Sequence, residues 1–415
     1  MTQTQQPNSR GRLLVISQTF VPDPASVGQH MTDVAVEMAR RGWDVRVYAS
    51  AWGYDDATIR YPKREVLHGV DIRRISFASF GKSSILVRAL GTFSFQLQAL
   101  LLALFTPRVS GIFFSTSPPL IGVVACIVGL IRRIPVAYWA MDLNPDQLIA
   151  MGKLTSTSFT ARFLEAANRW ILKRSALVVA LDRFMADRLN ARADLKGKLL
   201  VMPPWPHEDR LDPVAPGDNP FIARHALADK FVIMYSGNHS PANPLQTLLD
   251  AAAQLKDDDS IRFLFVGGGV GKKSVEQFVR DNGVKNALCL PYQPLADLKF
   301  SLTSADVHII SLGEQMAGIV HPCKIYGAMA TGKPVLFLGP SPSHISDILE
   351  HHPVGWHVSH GDVSGAITLL KTIKSTDPAV LNEMGRRGQE ILQSQFSQSI
   401  LCGRFCDRLE AAMRE

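Results

Sequence analysis

Residues 11–50 read GRLLVISQTFVPDPASVGQHMTDVAVEMARRGWDVRVYAS, and their rhythm decides the fold. The apolar run LLVIS has the length and even hydrophobicity of a strand buried on both faces. A turn-rich loop, PDPASVGQ (22–29), follows. In HMTDVAVEMARRGW (30–43), Met31, Val34, Ala35, Met38 and Ala39 then recur at the spacing of an amphipathic helix. DVRVYAS (44–50) is a second strand. GIFFSTS (111–117), PVAYWAMD (135–142) and ALVVALD (176–182) repeat the strand pattern, each ending in small or polar residues. Such alternation predicts a parallel sheet with helices on both faces.

A chain of 415 residues exceeds what one hydrophobic core usually organises. The break falls at PPWPHEDRLDPVAPGDNP (203–220), with six prolines in eighteen residues, which is linker rather than helix or sheet. The pattern then restarts. FVIMYSG (231–237), IRFLFVGGG (261–269), DVHIISL (306–312) and PVLFLG (334–339) are strands, and PLQTLLDAAAQLK (244–256) and HPCKIYGAMATG (321–332) are helices. The reading is α/β, two doubly wound Rossmann-like domains facing across a cleft. The expected boundaries are 1–205, a linker at 206–220, 221–390, and a C-terminal helix at 391–415 that packs back on the first domain.

The content of 46% hydrophobic and 20% charged residues excludes a disordered chain. Residues 1–206 hold 25 Lys and Arg against 14 Asp and Glu, and the remainder 19 against 23. A basic first half suggests nucleic acid, an anionic membrane surface or an anionic substrate. No RNA-binding aromatic signature or DNA-reading motif accompanies it, so nucleic acid is not an expected partner. Cys126, Cys289, Cys323, Cys402 and Cys406 have no metal spacing and predict reduced, buried thiols in a cytoplasmic protein. The opening MTQTQQPNSRGR lacks the apolar segment of a secretory signal. Residues 85–105, ILVRALGTFSFQLQALLLALF, contain Arg88, Gln96 and Gln98, and residues 119–131, PLIGVVACIVGLI, are short for a crossing. Both read either as buried helices or as an apolar face that presses on an anionic leaflet, flanked by Arg88, Arg108, Arg132 and Arg133.

In open α/β sheets, ligands bind beyond the C-terminal ends of the strands. GGGVGKKS (267–274) lies there, but Val266 replaces the first glycine of a P-loop and Lys273 its Ser or Thr, while Lys272 breaks the dinucleotide pattern. It is either a plain strand-to-helix turn or a backbone approach to a nucleotide near Gly267, Gly269 and Lys272. Gly28, ahead of the first helix, permits close approach to free N–H groups or simply makes a turn. SGNHSPANP (236–244) offers Gly237 and Asn238, which tolerate left-handed backbone, with His239 solvated in the alternative reading. Asp142, in MDLNPDQ (141–147), either faces the cleft or caps the following helix. Lys324 is a lone charge in GIVHPCKIYGAMATGKPV (318–335) and either binds an anion at a helix start or makes a structural salt bridge. Pro322 is expected in the first turn of that helix.

Taken in order, these pieces resemble the retaining GT-B glycosyltransferases of family 4. They are most similar to the bacterial polysaccharide-assembly branch, which includes N-acetylated amino-sugar transferases. The likeness covers about residues 12 to 370. It rests on the Gly28 loop with DVAVEMARRGWDVRVYAS, FFSTSPPLIG (113–122), DLNPDQLIAMG (142–152) and YSGNHSPANPLQTLL (235–249). FLFVGGG (263–269), LPYQP (290–294) and SADVHIISL (304–312) followed by GIVHPCKIYGAMATGKPV complete it. Two glutamates common in the family are replaced by Ile319 and Gly327, and Pro322, Cys323 and Lys324 fit the Pro-x-Lys of the polysaccharide branch. Met141 stands where many members have His, and the usual Arg/Lys pair after the Gly237-type loop is missing.

The resemblance implies transfer of a sugar, with retention, from a nucleotide-diphosphate donor, a UDP-sugar, to a hydroxyl of a lipid-linked or glycan acceptor. It places the donor in the second domain against Gly237, Asn238, Gly267, Gly269, Lys272, Tyr292, Gly318, Ile319 and Val320, and the acceptor in the first. Lys324 would bind the diphosphate and Asp142 would orient the acceptor or stabilise positive charge on the sugar. No metal or other cofactor is expected. The expected location is the cytoplasm, with peripheral attachment to an anionic membrane. Two rivals are a nucleotide-sugar 2-epimerase, which needs no acceptor, and a non-catalytic GT-B subunit.

Overall fold

β1 (Arg12–Ile16) runs directly into the loop that starts α1 (Ser26–Arg40), and β2 (Asp44–Ser50) returns beside β1 in parallel register. The computed structural model describes residues 10–23, 25–53, 58–77, 85–206, 211–212 and 214–414. Most of the polar opening, residues 207–210 and 213 of the expected linker, and the side chain of Arg88 lie outside them. The chain divides into two compact units, residues 1–204 with 399–415, and residues 205–398.

In the first unit, β3 (Arg64–Leu67) and β4 (Val70–Ile75) follow β2, joined through His68 and Gly69, both at positive φ. That is the backbone a two-residue hairpin turn requires. Then come α2 (Ile85–Phe105), β5 (Val109–Phe114), α3 (Ile121–Arg132), β6 (Val136–Trp139), α4 (Asp146–Ala150), α5 (Phe159–Arg174), β7 (Leu177–Ala180), α6 (Arg183–Asn190) and β8 (Leu199–Val201). The strand order is β3-β4-β2-β1-β5-β6-β7-β8, parallel except for the β3 edge. Charged residues suit that edge, since they discourage pairing with another chain. Alternate residues serve opposite faces. Phe114 stacks on Tyr138 within the core that also holds Phe95, Val124 and Val128 of α2 and α3. Phe113 and Trp139 point the other way, toward Phe405.

The second unit contains α7 (Pro220–Arg224), β9 (Phe231–Ser236), α8 (Gln246–Gln254), β10 (Ile261–Val266), α9 (Lys272–Asp281), β11 (Ala287–Leu290) and α10 (Leu298–Thr303). It continues with β12 (Val307–Ser311), α11 (Lys324–Ala330), β13 (Val335–Leu338), α12 (His344–His351), β14 (Gly355–Val358), α13 (Val363–Ser375) and α14 (Pro378–Ile391). Its six strands are all parallel, in the order β11-β10-β9-β12-β13-β14. Tyr235, Phe263 and Phe265 face α8 and α13, and Met234, Leu264 and Val266 face α7. Burial on both faces explains why these strands read as continuous apolar runs.

α15 (Gln398–Arg414) belongs to the first unit apart from its opening residue. Its inner stripe, Leu401, Phe405, Leu409 and Met413, is buried. A Cβ on Gly111 of β5 would fall 1.9 Å from the Met413 sulfur, so any larger residue here would require the Met413 side chain to move. Arg41 adds an ion pair to Asp407 at 2.6 Å, and Trp43 Nε1 donates to Glu410 at 3.0 Å. Cys402 and Cys406 are packed here and Cys126 is buried in α3, but Cys289 is half-buried and Cys323 exposed, which corrects the expectation that all five thiols are interior.

Candidate active site

In the second unit the strand order reverses direction between β9 and β12, so the loops after those strands flank the crevice where ligands of doubly wound sheets bind. Gly237 ends β9 at φ 129°, a conformation that L side chains rarely adopt. Its N–H donates to Val266 O at 2.9 Å, and a Cβ there would lie 2.6 Å from Lys324 Cε. The lysine side chain therefore crosses directly over the glycine. Lys324 Nζ donates to the Tyr235 hydroxyl and, at 3.2 Å, to Asn238 O, and it lies 4.2 Å from the Tyr235 ring centroid. Among the described residues no carboxylate pairs with it, so the salt-bridge alternative is not what the structure shows. Burial pulls its pKa down to about 8. α11 begins at Lys324 with Cys323 at the cap, so Pro322 precedes the helix rather than sitting inside its first turn.

The β10 loop packs against the β9 loop by backbone approach. A Cβ on Gly267 would meet Gly237 O at 2.0 Å, and one on Gly269 would meet Asn238 Oδ1 at 2.0 Å. His239 N donates to Gly268 O at 2.7 Å, and Gly271 N returns a bond to His239 O at 2.9 Å. These glycines are thus required by loop-on-loop packing. His239 is buried rather than solvated. Its Nδ1 faces two carbonyls, Gly237 O at 3.1 Å and Gly268 O at 3.3 Å, and so carries the proton. Burial, with Lys272 and Lys324 nearby, lowers its pKa to about 4, leaving a neutral ring. Lys272 opens α9, and its ammonium turns inward to Phe265 O and Leu290 O, tying the ends of β10 and β11 beneath the loop. Tyr292 is exposed above Gly268, where a Cβ would come 2.8 Å from its ring. Gly318 stands at φ 71°, Ile319 is buried and Val320 half-buried as the chain approaches α11. Just beyond, the Tyr326 hydroxyl lies 2.8 Å from both His321 Nε2 and His344 Nε2.

In the first unit the reversal lies between β1 and β5. Gly28 is the third residue of α1, and a Cβ there would sit 3.1 Å from Thr19 C and Phe20 N. The space at this glycine is filled by the chain's own β1 loop. Asp142 follows β6 and lines a cavity of about 50 Å³ with Ser115, Pro118, Tyr138, Asn168 and Arg192. It is not the cap of α4, which starts at Asp146 after Pro145. Arg192 is engaged by Asp146 at 2.5 Å and Glu165 at 3.1 Å, and no described residue pairs with Asp142. Burial without a partner raises its pKa to about 6.

Sequence reasoning missed Tyr235 and the His321–Tyr326–His344 contact, and left open whether His239 is solvated. Tyr235 sits inside an apolar strand with only its hydroxyl as a signal, and nothing in SGNHSPANP distinguishes a buried histidine from a solvated one.

Residues 26–205 match a family described as glycosyl transferase 4-like domain, and residues 230–373 match glycosyl transferases group 1. "Probable glycosyltransferase WbjE" of Pseudomonas aeruginosa is 26% identical over 264 residues, 64% of this chain and 65% of that one. WcaI of Escherichia coli (strain K12), named for a glycosyl transferase role in colanic acid biosynthesis, is 24% identical over 82% of this chain and 86% of its own. Among solved structures, sucrose-phosphate synthase from Thermosynechococcus elongatus superposes with a TM-score of 0.76 at 17% identity, over 97% of this chain and 100% of that one. HepE of Anabaena, in complex with UDP and glucose, gives 0.71 at 16% identity over 97% and 100%. The chain has the two-domain GT-B fold, its first part similar to the glycosyl transferase 4-like domain and its second to the glycosyl transferases group 1.

Proposed function

We propose that the protein transfers a sugar, with retention, from a UDP-sugar to a hydroxyl of a lipid-linked or polysaccharide intermediate. The observation that carries this reading is Lys324, a half-buried ammonium with no carboxylate partner among the described residues, held over Gly237 at the strand-order reversal of the second unit. A cation in that position lowers the energy of an arriving diphosphate and of the charge that grows on it as the sugar leaves. The bond from the anomeric carbon to the diphosphate breaks, a bond to the acceptor oxygen forms on the same face, and the acceptor hydroxyl's proton passes to the departing diphosphate. The proposal assigns neutralisation of the departing UDP to Lys324 and the backbone N–H groups around it, rather than to a metal. Asp142 orients the acceptor hydroxyl or stabilises positive charge on the sugar ring. HepE was solved with UDP and glucose, which supports the choice of nucleotide, and the names of WbjE and WcaI support a glycan product. A lipid-linked acceptor brings the reaction to the cytoplasmic face of a membrane.

The test is a thermal-shift screen of nucleotide sugars, since a ligand that binds only the native state raises the melting temperature. Transfer assays with the stabilising donors follow. UDP-sugars that give no shift, while other nucleotide sugars do, would overturn the assignment of the base. A UDP-N-acetylhexosamine altered without any acceptor would establish the epimerase instead.

A further inference from the structure

α2 is apolar on both sides. Phe95, Ala99 and Ala103 face the core of the first unit. Leu90, Phe93, Leu97, Leu101 and Phe105 recur three or four residues apart on the opposite side and are exposed, Phe93 at 64% and Phe105 at 81%. A helix that is hydrophobic all round is normally covered all round. At 21 residues it is about 31 Å long, so the stripe is continuous over the length of the helix. α3 extends it. Most of α3 is core, which corrects the idea that residues 119–131 form an apolar face as a whole, but Leu130 and Ile131 at its end are exposed. Arg132 Nη1 donates to Ala103 O at 3.0 Å and to Thr106 O, which fixes the end of α3 against the end of α2.

The stretch of sequence that carries this stripe holds charge of one sign. Between Asp71 and Asp142 the chain contains no Asp or Glu; Arg73 and Arg74 of β4 are paired with Asp71 and Glu65, and Lys82, Arg88, Arg108, Arg132 and Arg133 follow. Arg108 and Arg133 are exposed just beyond the C-terminal ends of α2 and α3. Among the described residues no helix is long and apolar enough to cross a membrane. An apolar stripe lying along a helix, with exposed arginines at its end and no carboxylate in the segment that carries it, is the pattern of a helix lying in the interface of an anionic bilayer.

We propose that the outer face of α2, with the tip of α3, is a docking surface for an anionic lipid bilayer, α2 lying in the plane of the interface and Arg108 and Arg133 meeting lipid phosphates. This deepens the proposed reaction, because a lipid-linked acceptor is presented at a bilayer. Vesicle binding is measured without turnover, so either reading can fail alone.

The experiment is flotation of the full-length protein with vesicles of phosphatidylcholine alone and of phosphatidylcholine with phosphatidylglycerol, at low and high salt. The expected result is capture by the anionic vesicles at low salt and substantial release at high salt, because exposed charges are screened within about 8 Å at physiological ionic strength. Phe93→Asp combined with Phe105→Asp should abolish capture. Arg108→Glu with Arg133→Glu should weaken it by about fivefold or more per residue. Both residues of each pair are exposed, and melting curves with and without UDP should match the parent, showing that the fold and donor site are intact. Absence of capture by anionic vesicles at low salt would overturn the proposal, as would capture unchanged in the double aspartate variant. A dimer in solution that Phe93→Asp converts to monomer would overturn it in favour of a second copy on this face.

Discussion

Replacing Lys324 by Met should make the unliganded protein more stable and the donor complex weaker, two effects that a structural lysine would not combine. Methionine fills similar space without the charge. The interval between the ordinary lysine pKa of 10.5 and about 8 corresponds to about 3 kcal/mol of charge burial that no carboxylate in the described structure offsets. Against this, the variant loses hydrogen bonds from Nζ to the Tyr235 hydroxyl and to Asn238 O, each worth about 1 kcal/mol net. Those acceptors are not stranded, because the Tyr235 hydroxyl donates to Asn238 O at 2.7 Å. The balance is a gain of about 1 kcal/mol at pH 7, a rise of about 2–4 °C in melting temperature for a unit of this size.

The pH dependence follows from the direction of the shift. Below pH 8 the folded parent carries the buried charge at full cost. Between about 8 and 10.5 the folded state has released a proton that the unfolded chain still holds, so the parent gains stability as pH rises and the advantage of Met shrinks. UDP should bind the variant about tenfold to a hundredfold more weakly, the loss expected for one charged hydrogen bond. Scanning calorimetry of parent and variant at pH 7 and pH 9.5, with and without UDP, reads all three quantities. A variant destabilised by more than about 1 kcal/mol at pH 7 that keeps the parent's UDP shift would refute the reasoning.

Asp142→Asn should cut turnover at least tenfold while leaving the UDP-induced melting shift intact, as measured by initial rates and thermal shift. Because the folded pKa is raised from 3.8 to about 6, the parent loses stability as pH rises through that window, so Asn should stabilise the protein at pH 7 and not at pH 3.5. Gly237→Ala meets both a φ of 129° and Lys324 Cε at 2.6 Å, and should cost about 1–3 kcal/mol in denaturant titration while weakening UDP binding. Gly327→Ala is the contrasting case: nothing lies within 4 Å of the new Cβ on α11, so stability should rise by up to about 1 kcal/mol with UDP binding unchanged. UDP affinity of the parent should fall as pH rises above about 8, where the free lysine loses its charge; isothermal titration across pH 7 to 9.5 measures it.

The sheets were legible because their central strands are buried on both faces. LLVIS, GIFFSTS, FVIMYSG and IRFLFVGGG need no partner to be recognised, and each forms a strand of a doubly wound sheet. The strands that escaped notice are short or peripheral. β3 and β4, REVL and VDIRRI, alternate charge with aliphatic residues at one edge, and β14, GWHV, closes the opposite edge of the second sheet. Their pattern reflects one-sided exposure, which short polar segments imitate. Asp142 was legible as a strand-end carboxylate, but not its lack of a partner. That depends on Arg192 being drawn to Asp146 and Glu165, a choice made only when α4 and α5 have packed.

Lys324 shows how far a local signal reaches. Its neighbours Ile325 and Tyr326 are buried and Cys323 is exposed, so the lysine occupies the flank of α11 between core and solvent. A flank position lets a long side chain reach sideways, and here it reaches the end of β9, 89 residues earlier in the chain. The sequence shows a lone charge among apolar residues. It cannot show that the space beside that charge exists only because residue 237 is glycine, or that the hydroxyl and carbonyl waiting there are neutral. Those two facts turn an isolated lysine into an uncompensated cation, because a carboxylate at either place would have neutralised it. The proposed donor site is therefore written jointly by Gly237, Tyr235 and Lys324, and changing any one of them should alter how the other two meet a diphosphate.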